Sequence, residues 1–311
     1  MVEPAALFAL ASEAAFGWPS PIYRAVGHPV GGFARMISAC ELRWNQPTRA
    51  EAHRKALGMA TVMILFIIVG GVSFALDRFC WWLCGGWGWI AIGLLAVPGL
   101  AQRSLHQHVD AVSSALATGD LSDARAAVAM IVGRDTAMLD EAGVSRAAIE
   151  SLAESYCDGV TAPLCWLLFL GLPGLWVYKA INTADSMIGH REERWRAFGW
   201  AAARTDDLLN LIPARLAGLL VCLCGGGWRI MWRDAGKHAS PNAGWPEAAM
   251  AGALGVRLAG SVAYDGAKQD KPWIGDGRAD ASAADIVRAL RVYRRACFCL
   301  WIIAGAVAWT F

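Results

Sequence analysis

The segment Gly58–Leu76, GMATVMILFIIVGGVSFAL, runs from end to end without a charged side chain. About 20 apolar residues in helical form cross the roughly 30 Å hydrocarbon core of a bilayer. In lipid the backbone must satisfy its own hydrogen bonds, and a single segment can do so only as a helix. This stretch therefore predicts an all-α, polytopic integral membrane protein. Charged residues make up 17% of the chain, below the ~25% usual in soluble domains. Tryptophan outnumbers tyrosine by 16 to 5, and tryptophan favours the membrane–water interface.

Other segments fill in the organisation. Trp81–Leu100 is expected to return across the membrane after a short turn at Asp77–Cys80. Ala296–Phe311 is a third candidate, the end of a long helix that starts with a capping box at Ser282 and Asp285. Two apolar stretches are interrupted. Gly159–Val177 contains Pro163 and the GLPG string Gly171–Gly174; Leu208–Trp232 contains Pro213, Arg215 and the run Gly225–Gly227. Such breaks are tolerated where backbone is buried in protein or lines a cavity, so broken or re-entrant helices are expected. The stretches Arg24–Lys55, Ala101–Asp158, Ile181–Asp207 and Arg229–Arg295 all carry Lys or Arg, which places them together on the cytoplasmic side. Segments that dip in and return satisfy that placement. Asp120–Leu139 and Ser145–Asp158 read as amphipathic cytoplasmic helices. No run of alternating strand residues stands out, and one domain over 1–311 is expected. Glu3 and the lack of a basic leader region argue against a signal peptide.

Several function classes are excluded. The net charge is +2 with no basic stripe, so no nucleic-acid partner is expected. The nine cysteines include no CxxC pair and read as small buried hydrophobes. His106 and His108 lie two apart on a helix and cannot share a metal. No GxxxxGK[ST], strand-borne GxGxxG or GxSxG motif occurs, so any ATP use rests on another arrangement.

Five polar constellations remain. In IESLAESYCDGVTAP, Glu150, Glu154 and Asp158 recur every four residues, a drift of about 40° per step that keeps them on one helix face. Three like charges there call for a cation, and Mg²⁺ prefers oxygen ligands. In YKAINTADSMIGHR, the residues Lys179, Asn182 and Asp185 share a face at the end of an apolar segment, where a carboxylate is costly unless paired or bound. In ARTDDLLNLIPAR, Asp206 and Asp207 each share a face with Asn210, flanked by Arg204 and Arg215. Thr205 as an N-cap would explain one or two of these acids but not the arginines. GKHASPNAGWPE places Lys237, His238, Ser240 and Asn242 before a small-residue helix, with Glu247 in its first turn. IVGRDTAML offers Arg134, a residue suited to a phosphate oxygen pair or to a surface salt bridge.

These strings resemble those of the CbiB/CobD family of cobalamin biosynthesis, the adenosylcobinamide-phosphate synthases. The resemblance covers most of the chain, through GHPVGGFARMISACE, DLSDARAAVAMIVGRDT, ESLAESYCDGVTAPLCW, YKAINTADSMIGHR, FGWAAARTDDLLNLIPARL and SPNAGWPEAAMAGALGVRLAG, in that order. One departure is visible. The family opens on a pattern like D-x-x-x-G-D-P, whereas EAAFGWP puts Glu13 and Trp18 in those places.

The resemblance implies a multi-pass inner-membrane ligase that uses ATP and Mg²⁺, with its active site facing the cytoplasm. It implies joining of adenosylcobyric acid to (R)-1-amino-2-propanol phosphate, or to the free amino alcohol. With that chemistry, Asp158, Asp185, Asp206 and Asp207 are expected around Mg²⁺. Arg134, Lys179, Asn182, Arg191, Arg204, Lys237, Ser240 and Asn242 are expected on substrate and phosphates. Glu154 or His238 would take the amine proton, with Asp185 in the catalytic set. Expected partners are the corrinoid and amino-alcohol phosphate, the lipid bilayer, and either a second copy of the chain or other membrane enzymes of cobalamin assembly. A transporter is the alternative from another class, since broken helices occur there too, but the paired repeat it needs is absent. A non-catalytic accessory or sensor protein like AmpE is a further alternative.

Overall fold

The computed structural model describes residues 3–264 and 267–310. In chain order the elements are α1 (Glu3–Phe16), α2 (Ser20–Val26), α3 (Pro29–Trp44), α4 (Glu51–Cys84), α5 (Gly88–Ala96), α6 (Gln102–Ala117), α7 (Leu121–Ala129) and α8 (Glu141–Tyr156). There follow α9 (Ala162–Ile188), α10 (Glu193–Arg196), α11 (Trp200–Leu209), α12 (Leu211–Gly225), α13 (Trp228–Asp234), α14 (Gly244–Leu254), β1 (Leu258–Tyr264), β2 (Ala267–Ile274) and α15 (Ala283–Thr310). Among the described residues the fold is all-α apart from one antiparallel pair of strands, β1 and β2, which period-2 patterning did not reveal. Helical stretches within Glu51–Ala117, Glu141–Ile188 and Ala283–Trp309 are long and apolar enough to cross a membrane. The broken pair α11 and α12 makes a fourth if it counts as one span.

Two compact units are formed. The first comprises residues 1–101, 162–210 and 303–311; the second comprises residues 102–161 and 211–302.

In the first unit α4 packs on α9, α5 and α11. The expected turn at Asp77–Cys80 is not there: α4 continues to Cys84. Nothing in DRFC opposes a helix, whereas Gly85 takes φ +50° and ends it. A 3₁₀ turn at Gly85–Trp87 precedes the return helix α5, which is only nine residues long. α9 breaks at Gly171, with φ 67° and ψ −154°, where Pro173 would deny the preceding turn a hydrogen bond. This is the GLPG interruption the sequence shows. α11 is held at its start by close backbone contact. A Cβ on Gly58 would lie 1.8 Å from Phe198 O, and one on Gly199 would lie 1.6 Å from Ile188 O.

In the second unit α14 packs against α12, α13 and α8. α7 ends at Ala129 rather than reaching Leu139; Gly133 follows, and Thr136 and Asp135 bond to backbone in a turn. α8 begins at Glu141 with Asp140 as its N-cap, its Oδ1 accepting from Gly143 N at 2.7 Å. The chain then passes through a π-helical turn at Cys157–Thr161. Pro163 lacks an N–H for the preceding turn, and a π-turn absorbs such a loss. At the start of α15, Ser282 N and Oγ both donate to Asp285 Oδ2, at 2.9 and 3.0 Å, the reciprocal arm of the expected capping box. α12 ends at Gly225, and Gly226 and Gly227 take φ 84° and 92° before α13. All nine cysteines are free thiols, buried or half-buried.

Candidate functional site

The first unit gathers one polar cluster where α9 meets α11. α9 carries Lys179, Asn182 and Asp185 on one face, as their spacing requires. Asn182 Nδ2 donates to Asp206 Oδ1 at 3.2 Å. Asn210 Nδ2 donates to the other oxygen, Oδ2, at 3.0 Å, and Tyr178 OH donates to Asn210 Oδ1 at 3.0 Å. Asp206 and Asn210 are buried, so these bonds replace lost water. Asp185 lies within electrostatic range of Asp206 and Asp207. Asp207 in turn bonds Arg204 at 3.1 Å and feels the charge of Arg191. Five of the expected site residues beyond Lys179 and Asn182 therefore meet here. Gly189 makes the arrangement possible: a Cβ there would lie 1.9 Å from Asp185 Oδ1.

A second relationship was not visible in the sequence. His28, just before α3, lies near Lys179; burial and that neighbouring charge push its pKa below the ordinary histidine value. Neutral His28 accepts from Val30 N through Nδ1 at 3.3 Å, which caps α3. Its ring meets Trp18 edge-on at 5.9 Å. Trp18, at one departure from the family pattern, is thus used in packing, and Glu13 is buried.

The second unit holds the remaining candidates in separate arrangements. Arg134 pairs with Glu150 at 2.6 Å, and the other Glu150 oxygen accepts from Ala259 N at 2.7 Å. Ala259 has φ 60° beside a bulge in β1, so Glu150 anchors a strained corner. Arg134 is committed to that anchor. Glu154 is exposed, and Asp158 lies in the π-turn.

Asp234 is the residue that sequence reasoning missed. Its carboxylate is buried and takes both Arg233 donors at 2.7 Å, Lys237 at 2.8 Å and Gly275 N at 2.8 Å. The Arg233 bonds, then Lys237 and Gly275, hold it well below the usual carboxylate range against the opposing effect of burial. Lys237 also donates to Trp273 O at 3.2 Å. The adjacent Arg–Asp with Lys three residues on, in WRDAGK, is a signal that could have found it.

In the loop before α14, Ser240 N donates to His238 Nδ1 at 3.0 Å, and His238 Nε2 faces buried Glu247 at 3.6 Å. That pairing assigns the neutral ring's proton to Nε2. Ser240 Oγ accepts from Asn242 N and Ala243 N at 3.2 and 3.3 Å. Asn242 is buried, and its Oδ1 accepts from Arg215 at 2.6 Å. Gly244 lets this loop close, since a Cβ would lie 2.0 Å from Ala235 O.

Among the described residues, no three His, Cys, Asp or Glu side chains are grouped closely enough to hold a metal alone. Mg²⁺ does not require such a cage: it keeps several waters and takes one or two carboxylates with substrate phosphates. Asp185 and Asp207, within electrostatic range of each other, are carboxylates of the kind such an ion takes.

The family model described as CobD/Cbib protein matches residues 6–293. A protein named cobalamin biosynthesis protein CobD from Rhodobacter capsulatus is 48% identical over 305 residues, 96% of this chain and 95% of that protein. Proteins of the same name from Sinorhizobium sp. and Brucella anthropi are 43% and 44% identical, covering 96% and 89% of this chain and 95% and 88% of theirs. No solved structure matches the chain.

Proposed function

This chain belongs to the CobD/CbiB family of cobalamin-biosynthesis proteins, and from that premise we propose that it is an ATP-dependent amide ligase. Its substrates would be adenosylcobyric acid and (R)-1-amino-2-propanol phosphate, its product adenosylcobinamide phosphate. The observation that carries this reading is the α9–α11 cluster, where Asp185, Asp206 and Asp207 lie among Arg191 and Arg204. Carboxylates interleaved with guanidiniums suit phosphoryl transfer, which rests on positioning and charge stabilisation.

The reaction balances in two steps. A corrinoid carboxylate oxygen attacks the γ-phosphorus of ATP; ADP leaves and an acyl phosphate forms. A base takes one proton from the ammonium; the free amine nitrogen then attacks the acyl carbon, and the departing phosphate carries off the second nitrogen proton. Mg²⁺, held by Asp185 with Asp206 or Asp207, would neutralise phosphate charge. Arg191, Arg204 and Lys179 would bind phosphate oxygens, with Asn182 fixing Asp206. Glu154 or His238 would take the amine proton. His238, Ser240, Asn242 and Lys237 then shape a substrate loop. Arg134 and Asp158 would act beside it, Arg134 through its pair with Glu150. On this reading the active site would face the cytoplasm from the inner membrane, on the side where ATP is available.

The test is a reaction of purified protein in detergent with ATP, Mg²⁺, adenosylcobyric acid and aminopropanol phosphate. Product and ADP should appear together and in equal amounts. Product formed without ATP would overturn the ligase reading, and so would ATP consumption that ignores both organic substrates.

A further inference from the structure

Membrane-crossing α15 carries Arg291, Arg294 and Arg295, exposed, four turns before its apolar end, with Phe298 and Ile302 exposed beyond them. At 100° per residue, Arg291, Arg295, Phe298 and Ile302 return to one face, since they are spaced by four, three and four. The opposite face, with Val292, Tyr293, Ala296, Cys297 and Leu300, is buried. Beside the arginines lies a cavity of about 390 Å³ lined by Cys224, Arg291, Arg294, Arg295, Phe298 and Cys299. Its far wall is the end of α12, where a Cβ on Gly225 would come within 3.0 Å of a Val292 methyl.

Among the described residues none of these three arginines forms an ion pair. Neighbouring arginines do: Arg229 and Arg233 pair with Asp276, and Arg278 and Arg288 pair with Asp285. Three guanidiniums so close repel one another, and an anion would relieve that repulsion. Guanidinium forks match phosphate oxygens. The exposed Phe298 and Ile302 continue the same face into the span, as an acyl chain attached to that phosphate would require. Basic pockets between membrane helices attract anionic lipid headgroups in this way.

We infer that the cavity between α12 and α15 binds the phosphate of an anionic phospholipid, with one acyl chain lying along Phe298 and Ile302. This assignment does not depend on the ligase reading.

The test uses the full chain in detergent, titrated with phosphatidylglycerol or phosphatidylcholine, with bound lipid read by intact-complex mass spectrometry. Inorganic phosphate and ATP serve as soluble competitors. Phosphatidylglycerol should be retained in preference to phosphatidylcholine. The triple variant Arg291→Gln/Arg294→Gln/Arg295→Gln should weaken it by roughly tenfold or more. The charge-matched control Arg24→Gln/Arg43→Gln/Arg49→Gln should retain it. If the triple variant does not fold, Arg295→Gln and Phe298→Ala replace it, each expected to weaken retention. Equal retention of both lipids, or equal loss in the control, would overturn the proposal. Displacement of the lipid by micromolar ATP would reassign the cavity to a soluble phosphate.

Discussion

Asn182 donates to Asp206 across the α9–α11 contact at 3.2 Å, while Asn210 takes the other oxygen of the same carboxylate at 3.0 Å. Asp206 therefore ties the two helices together through both of its carboxylate oxygens. Asp206→Ala should orphan two amide donors in a buried place, costing about 1–3 kcal/mol. A lowered unfolding midpoint in detergent would show it. An unchanged midpoint would mean that the amides find water.

Asp185→Asn keeps shape and removes charge. Turnover should fall by about a hundredfold or more with an unchanged unfolding midpoint. Gly189→Ala should reproduce part of that loss, because its Cβ would lie 1.9 Å from Asp185 Oδ1. Normal turnover in Asp185→Asn at ordinary Mg²⁺ would remove this residue from the site.

His28 provides a pH dependence. Its folded pKa is lowered by burial and by Lys179, so the unfolded chain binds the proton more readily. Stability from this group is complete above the unfolded value, near 6.5. It is lost as pH falls from there toward the folded pKa. His28→Asn, which keeps a cap for α3, should flatten the difference between unfolding midpoints at pH 5.5 and 7.5. An equally steep difference in the variant would assign the effect elsewhere.

Asp234 has the opposite sign logic. Its folded pKa is depressed below the carboxylate range by Arg233, Lys237 and Gly275. Its stabilisation is present above about pH 4 and is lost as pH falls below that toward the folded pKa. Asp234→Asn should lower the unfolding midpoint at pH 7 and release Lys237, raising the reactivity of its amine toward acylating reagents. Unchanged Lys237 labelling would show that Trp273 O alone holds it.

Asn242→Ala separates scaffold from substrate contact. Arg215 would lose its 2.6 Å acceptor, and stability should drop by about 1–3 kcal/mol. Turnover per folded molecule should fall only if the loop also meets substrate. A lowered midpoint with unchanged turnover would leave the loop as support for α14.

Much of the architecture is written in composition and spacing. The charge-free run in α4, the GLPG break at Gly171 and the glycine break after α12 follow from backbone rules that act locally. So does the common face of Lys179, Asn182 and Asp185, because helical periodicity is local. The family strings legible in the chain lie within the residues 6–293 that the family model matches. Partner choice is not local. Arg134 and Glu150 are both suited to phosphate or metal by type, yet they bond each other, and Glu150 also holds Ala259, far along the chain. Lys237 is drawn to Asp234 because a buried carboxylate must be paired. The length of α4 past Asp77 and the π-turn at Asp158 depend on how helices stack, and no residue count announces them. Which polar groups are left with reach for a ligand is set by burial, since each desolvated group first takes the partner that packing brings to it.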